Sequence, residues 1–317
     1  MDYILEAQGV SKKYASHQAL QEVSLQIPKQ SIYGLLGPNG AGKTTFIRII
    51  TQIIPADSGE IRFEGELLAP KHIGRIGYLP EERGLYKKMK VGEQLLYLAQ
   101  LKGLTYKQAL EKAKAWMIKF DIKEWWNKAI QDLSKGMQQK IQFIATVMHE
   151  PTLIILDEPF SGFDPINANL IRDEILQLRA QGCTIIFSTH RMETVEELCD
   201  EVALIHQSRK VLDGSKHDIK QRYKPNHFRV QYTGNQLLPT TTEQWEVLSD
   251  VALLGSQREA MLQRKQTGAT NPFLQALMEQ ADIQVFEEQL PEMSEIFIRV
   301  VEENTPSSAD NLHPSKK

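Results

Sequence analysis

Apolar residues follow two rhythms along this chain. At residues 3–7, 24–27, 31–36 and 61–63 they alternate or form short runs, separated by turn residues such as Pro28-Lys29 and Asp57-Ser58-Gly59. A period of two bounded by turns predicts strands. From 91 to 140 helix formers take over, and three of the four tryptophans, Trp116, Trp125 and Trp126, fall there. Two apolar strands return at 153–156 and 184–188, on either side of a helical segment at 167–181. Crossovers of that length predict a parallel sheet in an α/β domain, interrupted by a helical insert. Around Pro225 the pattern breaks. Beyond it come an alternating strand at 228–232, a helix near 272–280, a strand at 283–287 and a helix begun by Ser294. These two strand–helix pairs predict a small α+β domain. The last stretch is rich in Ser, Pro and Asn without apolar period, which predicts disorder. The expected division is 1–220, with its helical part at 91–140, then 221–303 and a loose tail at 304–317.

Composition narrows the classes. A chain of 317 residues with 41% hydrophobic and 24% charged residues is ordinary for a globular protein of one or two domains. With 37 Lys+Arg against 40 Asp+Glu, nothing favours a nucleic-acid-coating surface, and no nucleic-acid partner is expected. The longest apolar runs are far shorter than the ~20 residues of a membrane-spanning helix. Met1-Asp2-Tyr3-Ile4 has no basic-then-apolar export pattern, so a cytoplasmic protein is expected. Cys183 and Cys199 lack metal-ligand spacing and are expected to be structural.

Candidate chemistry begins at Gly37-Pro38-Asn39-Gly40-Ala41-Gly42-Lys43-Thr44, which fits the phosphate-loop pattern G-x-x-x-x-G-K-S/T. It lies between an apolar strand at 32–36 and an expected helix at 45–54. Glycines let backbone N–H groups wrap a phosphate, and the helix N-terminus adds partial positive charge. The expected ATP contacts run from Gly37 through Thr44 to Thr45, with Lys43 on the β- and γ-phosphates and the Thr44 hydroxyl on Mg2+. Leu153-Ile154-Ile155-Leu156-Asp157-Glu158-Pro159 reads as a buried strand ending in two carboxylates. By itself that pair is equally an ordinary strand-end turn. Beside a phosphate loop, Asp157 suits the Mg2+ site next to Thr44, and Glu158 suits a base polarising water. Leu133-Ser134-Lys135-Gly136-Met137 lies between the two motifs, and Met137, Ile141, Ile144 and Met148 continue at helical spacing. The pentapeptide therefore caps an amphipathic helix.

Here the chain resembles the ATP-binding subunit of an ABC transporter, whose signature LSGGQ occupies this position. Ser161-Gly162-Phe163-Asp164 resembles the family's D-loop, His190 its switch histidine, and Tyr14 the aromatic that stacks on adenine. The resemblance covers residues 1–220, with all motifs in family order. It implies an α/β P-loop ATPase cassette with a parallel core sheet, an antiparallel β subdomain and a helical subdomain, followed by the small C-terminal α+β domain. It implies catalysis by Glu158, His190 and Lys43, and Mg2+ held by Thr44, Asp157 and position 81. It further implies a head-to-tail dimer, with itself or a paralogous ATPase subunit. There Leu133, Ser134, Lys135, Gly136 and Met137 of one subunit complete the ATP site of the other. The membrane-spanning permease is expected on a separate chain, with this subunit peripheral on the inner face of the membrane.

Some positions depart from the family pattern. Lys135 and Met137 replace Gly and Gln, and Lys135 either adds charge near the phosphate or faces solvent. Glu81, in Leu79-Pro80-Glu81-Glu82-Arg83-Gly84, replaces the usual Gln. That segment and the ending Pro291-Glu292-Met293-Ser294-Glu295-Ile296-Phe297-Ile298 resemble sodium and drug exporters, so export is the expected direction. The tryptophans of the insert either pack helices together or, with Tyr86 and Lys87, form a groove for a helix of the membrane partner. A soluble ABC ATPase working on ribosomes or DNA is the alternative. A GTPase is disfavoured because Asn127-Lys128-Ala129-Ile130 lacks the aspartate of a guanine-reading motif.

Overall fold

A computed structural model describes residues 2–305 except 83, 161–163, 235, 236 and 267. The chain divides into two compact units, one running to Lys216 and resumed at Val300, the other His217–Arg299.

The first unit opens with two long strands, β1 (Tyr3–Tyr14) and β2 (His17–Pro28), paired antiparallel. After β3 (Ile32–Leu36) come α1 (Lys43–Ile50), β4 (Ser58–Phe63), β5 (Glu66–Leu67), a 3-10 turn at Pro70–Arg75 and β6 (Ile76–Leu79). The helical part follows, with α2 (Val91–Leu101), α3 (Tyr106–Lys119) and α4 (Lys135–Val147). The main sheet resumes through β7 (Leu153–Asp157), α5 (Pro165–Ala180), β8 (Thr184–Thr189), α6 (Met192–Leu198), β9 (Glu201–His206) and β10 (Arg209–Ser215). Its strand order is β10-β9-β3-β8-β7-β6, parallel throughout except for β10 at the edge. Every residue of β3, β7 and β8 is buried, as in parallel strands covered on both faces. A second, antiparallel sheet, β2-β1-β4-β5, packs Leu5, Val23, Leu25 and Phe63 into one core with Phe46, Ile47 and Ile50 of α1.

The helix after the phosphate loop is shorter than the expected 45–54. Thr51 is its C-cap, and Gln52 turns into the left-handed region at φ +56°. The amphipathic helix expected from Met137, Ile141, Ile144 and Met148 runs Lys135–Val147, with Ile141, Ile144 and Val147 buried. α3 packs on α2, and Ala109 and Ala113 of α3 are fully buried. Trp116 lies 5.5 Å from Phe120 and 6.4 Å from Phe143, ring centre to ring centre. A Cβ on Gly92 would stand 2.3 Å from the Trp126 ring, so that indole covers the start of α2. Trp116 and Trp126 thus pack the insert internally.

The chain continues through α7 (Lys216–Arg222). The second unit is a four-stranded antiparallel sheet with the order β12-β13-β11-β14. Its elements are β11 (His227–Thr233), β12 (Trp245–Ala252), β13 (Gln257–Arg264), α8 (Thr270–Met278) and β14 (Asp282–Gln289), followed by α9 (Met293–Glu303), which begins in this unit and ends beyond it. Phe273 and Leu277 of α8 cluster with Phe228, Val230, Tyr232, Trp245 and Leu262 from one face of the sheet. The other face carries ion pairs, including Arg229–Glu287 at 2.7 Å. The expected pair of strand–helix units is corrected by β12 and β13, a hairpin that the alternation does not reveal. Of the expected tail, residues from 306 on lie outside the described residues.

Candidate active site

Strand order decides where the chemistry gathers. β8 lies between β3 and β7, with Leu36 opposite Thr189 and Asp157 opposite Ser188. The segments leaving the C-terminal ends of these three strands therefore converge: the phosphate loop, Glu158 and His190. This edge is where open parallel sheets bind ligands. A cleft of about 370 Å3 opens there, lined by Tyr14, Asn39, Gly40, Gly42, Lys43, Thr44, Thr45, Glu81, Asp157, Glu158 and His190.

The loop geometry demands glycine at two positions. Gly37 has φ +148°, and a Cβ there would meet the Ile205 carbonyl oxygen at 2.2 Å. Gly42, at φ +117°, would place one 2.4 Å from the Ala19 carbonyl oxygen. Lys43 opens α1, and its ammonium donates to the carbonyls of Gly37 at 2.7 Å and Pro38 at 3.0 Å. Burial pulls its pKa below the usual lysine value, opposed by the charges of Glu158, Asp157 and Glu81. Three carboxylates thus surround one cation that is turned back into its own loop.

Asp157 is 4% exposed, accepts from the Thr44 hydroxyl at 3.3 Å and also from the Ser188 hydroxyl. These hydroxyl and carboxylate oxygens, with Glu81 across the cleft, are the hard donor set that Mg2+ takes, so the residues fit that ion. Glu158 has a left-handed φ of +50° and donates its backbone N–H to the Ser188 carbonyl at 3.1 Å. Its Oε1 accepts from the His190 N–H at 3.1 Å and lies 2.7 Å from His190 Nδ1. Thr189 donates to the other oxygen at 3.4 Å. The carboxylate is therefore fixed facing the cleft.

The signature pentapeptide lies apart from this cleft. Ser134 is the N-cap of α4, accepting from the Met137 N–H at 3.3 Å. Ser134 and Lys135 are exposed, and none of residues 133–137 lines the cleft. Asp164 is likewise exposed, capping α5 through the Asn167 N–H at 3.0 Å. Ser161 and Gly162 lie outside the described residues. Two participants escaped the sequence reading. His17 lines the cleft because the β1–β2 hairpin pairs it with Tyr14, and Ser188 holds Asp157 from the neighbouring strand. A polar residue near the end of an apolar strand was the available signal for Ser188.

Fold and cleft together define a P-loop ATPase cassette. The chain belongs to the ATP-binding subunits of ABC transporters and is an ATPase. Residues 20–161 match the ABC transporter family, and residues 214–301 match the family described as ATP-binding protein DrrA1-3-like, C-terminal domain. The chain is 38% identical over 301 residues to the uncharacterized ABC transporter ATP-binding protein YhaQ of Bacillus subtilis (strain 168), covering 94% of this chain and 98% of that one. It is 33% identical over 226 residues to the bacitracin transport ATP-binding protein BcrA of Enterococcus faecalis, covering 70% and 72%. Among solved structures, an ATP binding subunit of an ABC transporter superposes with a TM-score of 0.65 at 29% identity, over 69% of this chain and 93% of that one.

Proposed function

We propose that this subunit powers export through a separate membrane-spanning permease, working as a head-to-tail ATP-bound dimer peripheral on the inner face of the membrane. One observation carries the permease reading. Between α2, α4, the end of α1 and the 3-10 turn, the first unit has an open groove of about 370 Å3. Its walls include Ile53, Ile73, Leu85, Leu98 and Leu101, with Ile53 58% and Leu101 65% exposed. Exposed apolar surface of this kind marks an interaction site, and an amphipathic helix is the element that fills such a groove. Tyr86, Lys87 and the tryptophans are not among its lining residues. Among the described residues, no helix is long and apolar enough to cross a membrane. We assign the membrane half to a separate permease chain. Export is inferred from the resemblance of Leu79-Pro80-Glu81-Glu82-Arg83-Gly84 and the ending at 291–298 to exporter-type ATPases.

In the cleft, Tyr14 faces the base and the loop N–H groups cradle the phosphates. On binding, Lys43 exchanges its two loop carbonyls for phosphate oxygens. Thr44, Asp157 and Glu81 would hold Mg2+, which would supply charge neutralisation to the phosphates. Glu158 accepts a proton from the attacking water, and His190 keeps its carboxylate aligned. Ser134 and Gly136, off their own cleft and at a helix N-terminus, serve the γ-phosphate bound by the other subunit.

Co-purification from membranes tests the reading: an integral membrane protein should accompany the chain. A soluble pool bound to ribosomes would overturn it. Glu81 gives a second expectation. A carboxylate there could serve as a Mg2+ ligand but would repel phosphate without the ion. Glu81→Gln should therefore retain ATP binding at low Mg2+ better than the parent. An unchanged Mg2+ titration of ATPase rate would exclude that role.

A further inference from the structure

The floor of the apolar groove differs in chemistry from its walls. His149, just beyond α4, is 8% exposed and lines the groove, yet neither ring nitrogen has a hydrogen-bond partner among the described residues. The Ile76 carbonyl interacts with the ring without hydrogen-bond geometry, and it already accepts from Lys102. Burial, with the Lys102 charge next, pulls the imidazole down to about 4, so the ring is neutral near pH 7. A neutral imidazole still carries one N–H donor.

Lys102, the residue after α2, donates to the carbonyls of Ile73 at 2.9 Å and Ile76 at 2.8 Å. An ammonium has three protons, so one is left over. Burial alone shifts its pKa, downward, and among the described residues no carboxylate counters that. A half-buried cation without a counter-charge, beside a buried imidazole without partners, is costly to keep. The groove therefore presents two unfilled donors, one on a cation and one on a neutral ring, inside apolar walls.

We propose that the groove takes an amphipathic segment of the membrane partner bearing one Asp or Glu, whose carboxylate accepts from Lys102 Nζ and from the His149 ring. The inference rests on the permease reading above and adds the chemistry of the contact. Apolar side chains of that segment lie against Ile53, Leu98 and Leu101. An amide in place of the acid leaves Lys102 without counter-charge, and a basic residue is repelled.

Carbodiimide treatment of membranes carrying the assembled transporter tests this, because it joins a carboxylate to an amine with no spacer. Peptide mapping should find Lys102 joined to an Asp or Glu of the integral membrane subunit. Lys102→Arg, whose guanidinium does not couple, should lose that product yet still co-purify. Lys102→Gln should weaken association with the membrane subunit by about tenfold. His149→Phe should weaken it by about threefold. Both variants should leave the ATPase rate of the isolated chain unchanged. Parental association in both variants overturns the proposal. So does a benzophenone on Leu101→Cys that reaches the membrane subunit while Lys102 couples to nothing in it. If neither probe reaches a membrane protein, the permease reading falls as well.

Discussion

Glu158→Gln is expected to stop turnover while leaving ATP bound, with ATPase rate falling by about 10²–10⁴-fold, the usual contribution of a general base. The substitution is close to isosteric. A glutamine carbonyl can still accept from the His190 N–H that now binds Oε1, so the strand end at φ +50° keeps its shape. What disappears is basicity, together with one of three negative charges around Lys43. Less repulsion toward the γ-phosphate and no hydrolysis should accumulate the ATP-bound dimer, visible as a doubled mass in size-exclusion chromatography with ATP. A variant that stays monomeric with ATP would rule out the head-to-tail mechanism for this chain. A rate within tenfold of the parent would remove Glu158 from the role of base.

Gly37→Ala is the second large effect expected, and here the loop itself fails. Its Cβ would lie 2.2 Å from a backbone oxygen of β9, and φ +148° is a conformation that alanine avoids. Neither strain relaxes by rotating a side chain, so the cost is roughly 3 kcal/mol from overpacking and backbone strain. Gly40→Ala is the matched control. Gly40 also has positive φ, at +79°, but open space around its missing Cβ, so only about 1 kcal/mol of backbone strain is expected. Thermal melts with and without ATP should show Gly37→Ala destabilised and unresponsive to nucleotide, and Gly40→Ala only slightly shifted. Equal melts for the two would sink the argument from the Ile205 contact.

The nucleotide cleft was legible because its parts are local. A phosphate loop is eight consecutive residues, and an apolar run ending in Asp157-Glu158 announces a buried strand and the carboxylates at its tip. What escaped depends on pairing between distant segments. His17 joins the cleft only through the β1–β2 hairpin, and Ser188 meets Asp157 only because β8 lies beside β7. The second unit shows the same limit. Gln257–Arg264 is built largely of Gln, Arg, Glu, Ala, Met and Leu, all favourable in helices, yet it is a strand held between β11 and β12. Tertiary pairing overrode local preference. In β12 a register shift between Val247 and Ser249 breaks the period-two signal that would have exposed it. The groove was expected from aromatic residues, but its walls come from four separate stretches of chain.

Because Ser134 and Gly136 stand off their own cleft, the proposed mechanism makes catalysis a matter of encounter. A dilute solution of this chain should hydrolyse ATP with a rate that grows as the square of protein concentration, levelling to first order once dimers dominate. A plot of rate per chain against concentration reads this directly, and a flat line from the lowest dilution would contradict it. Two cassettes tethered to one permease meet at an effective concentration on the order of millimolar, however few copies a cell holds. Under that proposal the membrane subunit would act as a concentrator as well as a conduit, making turnover independent of abundance.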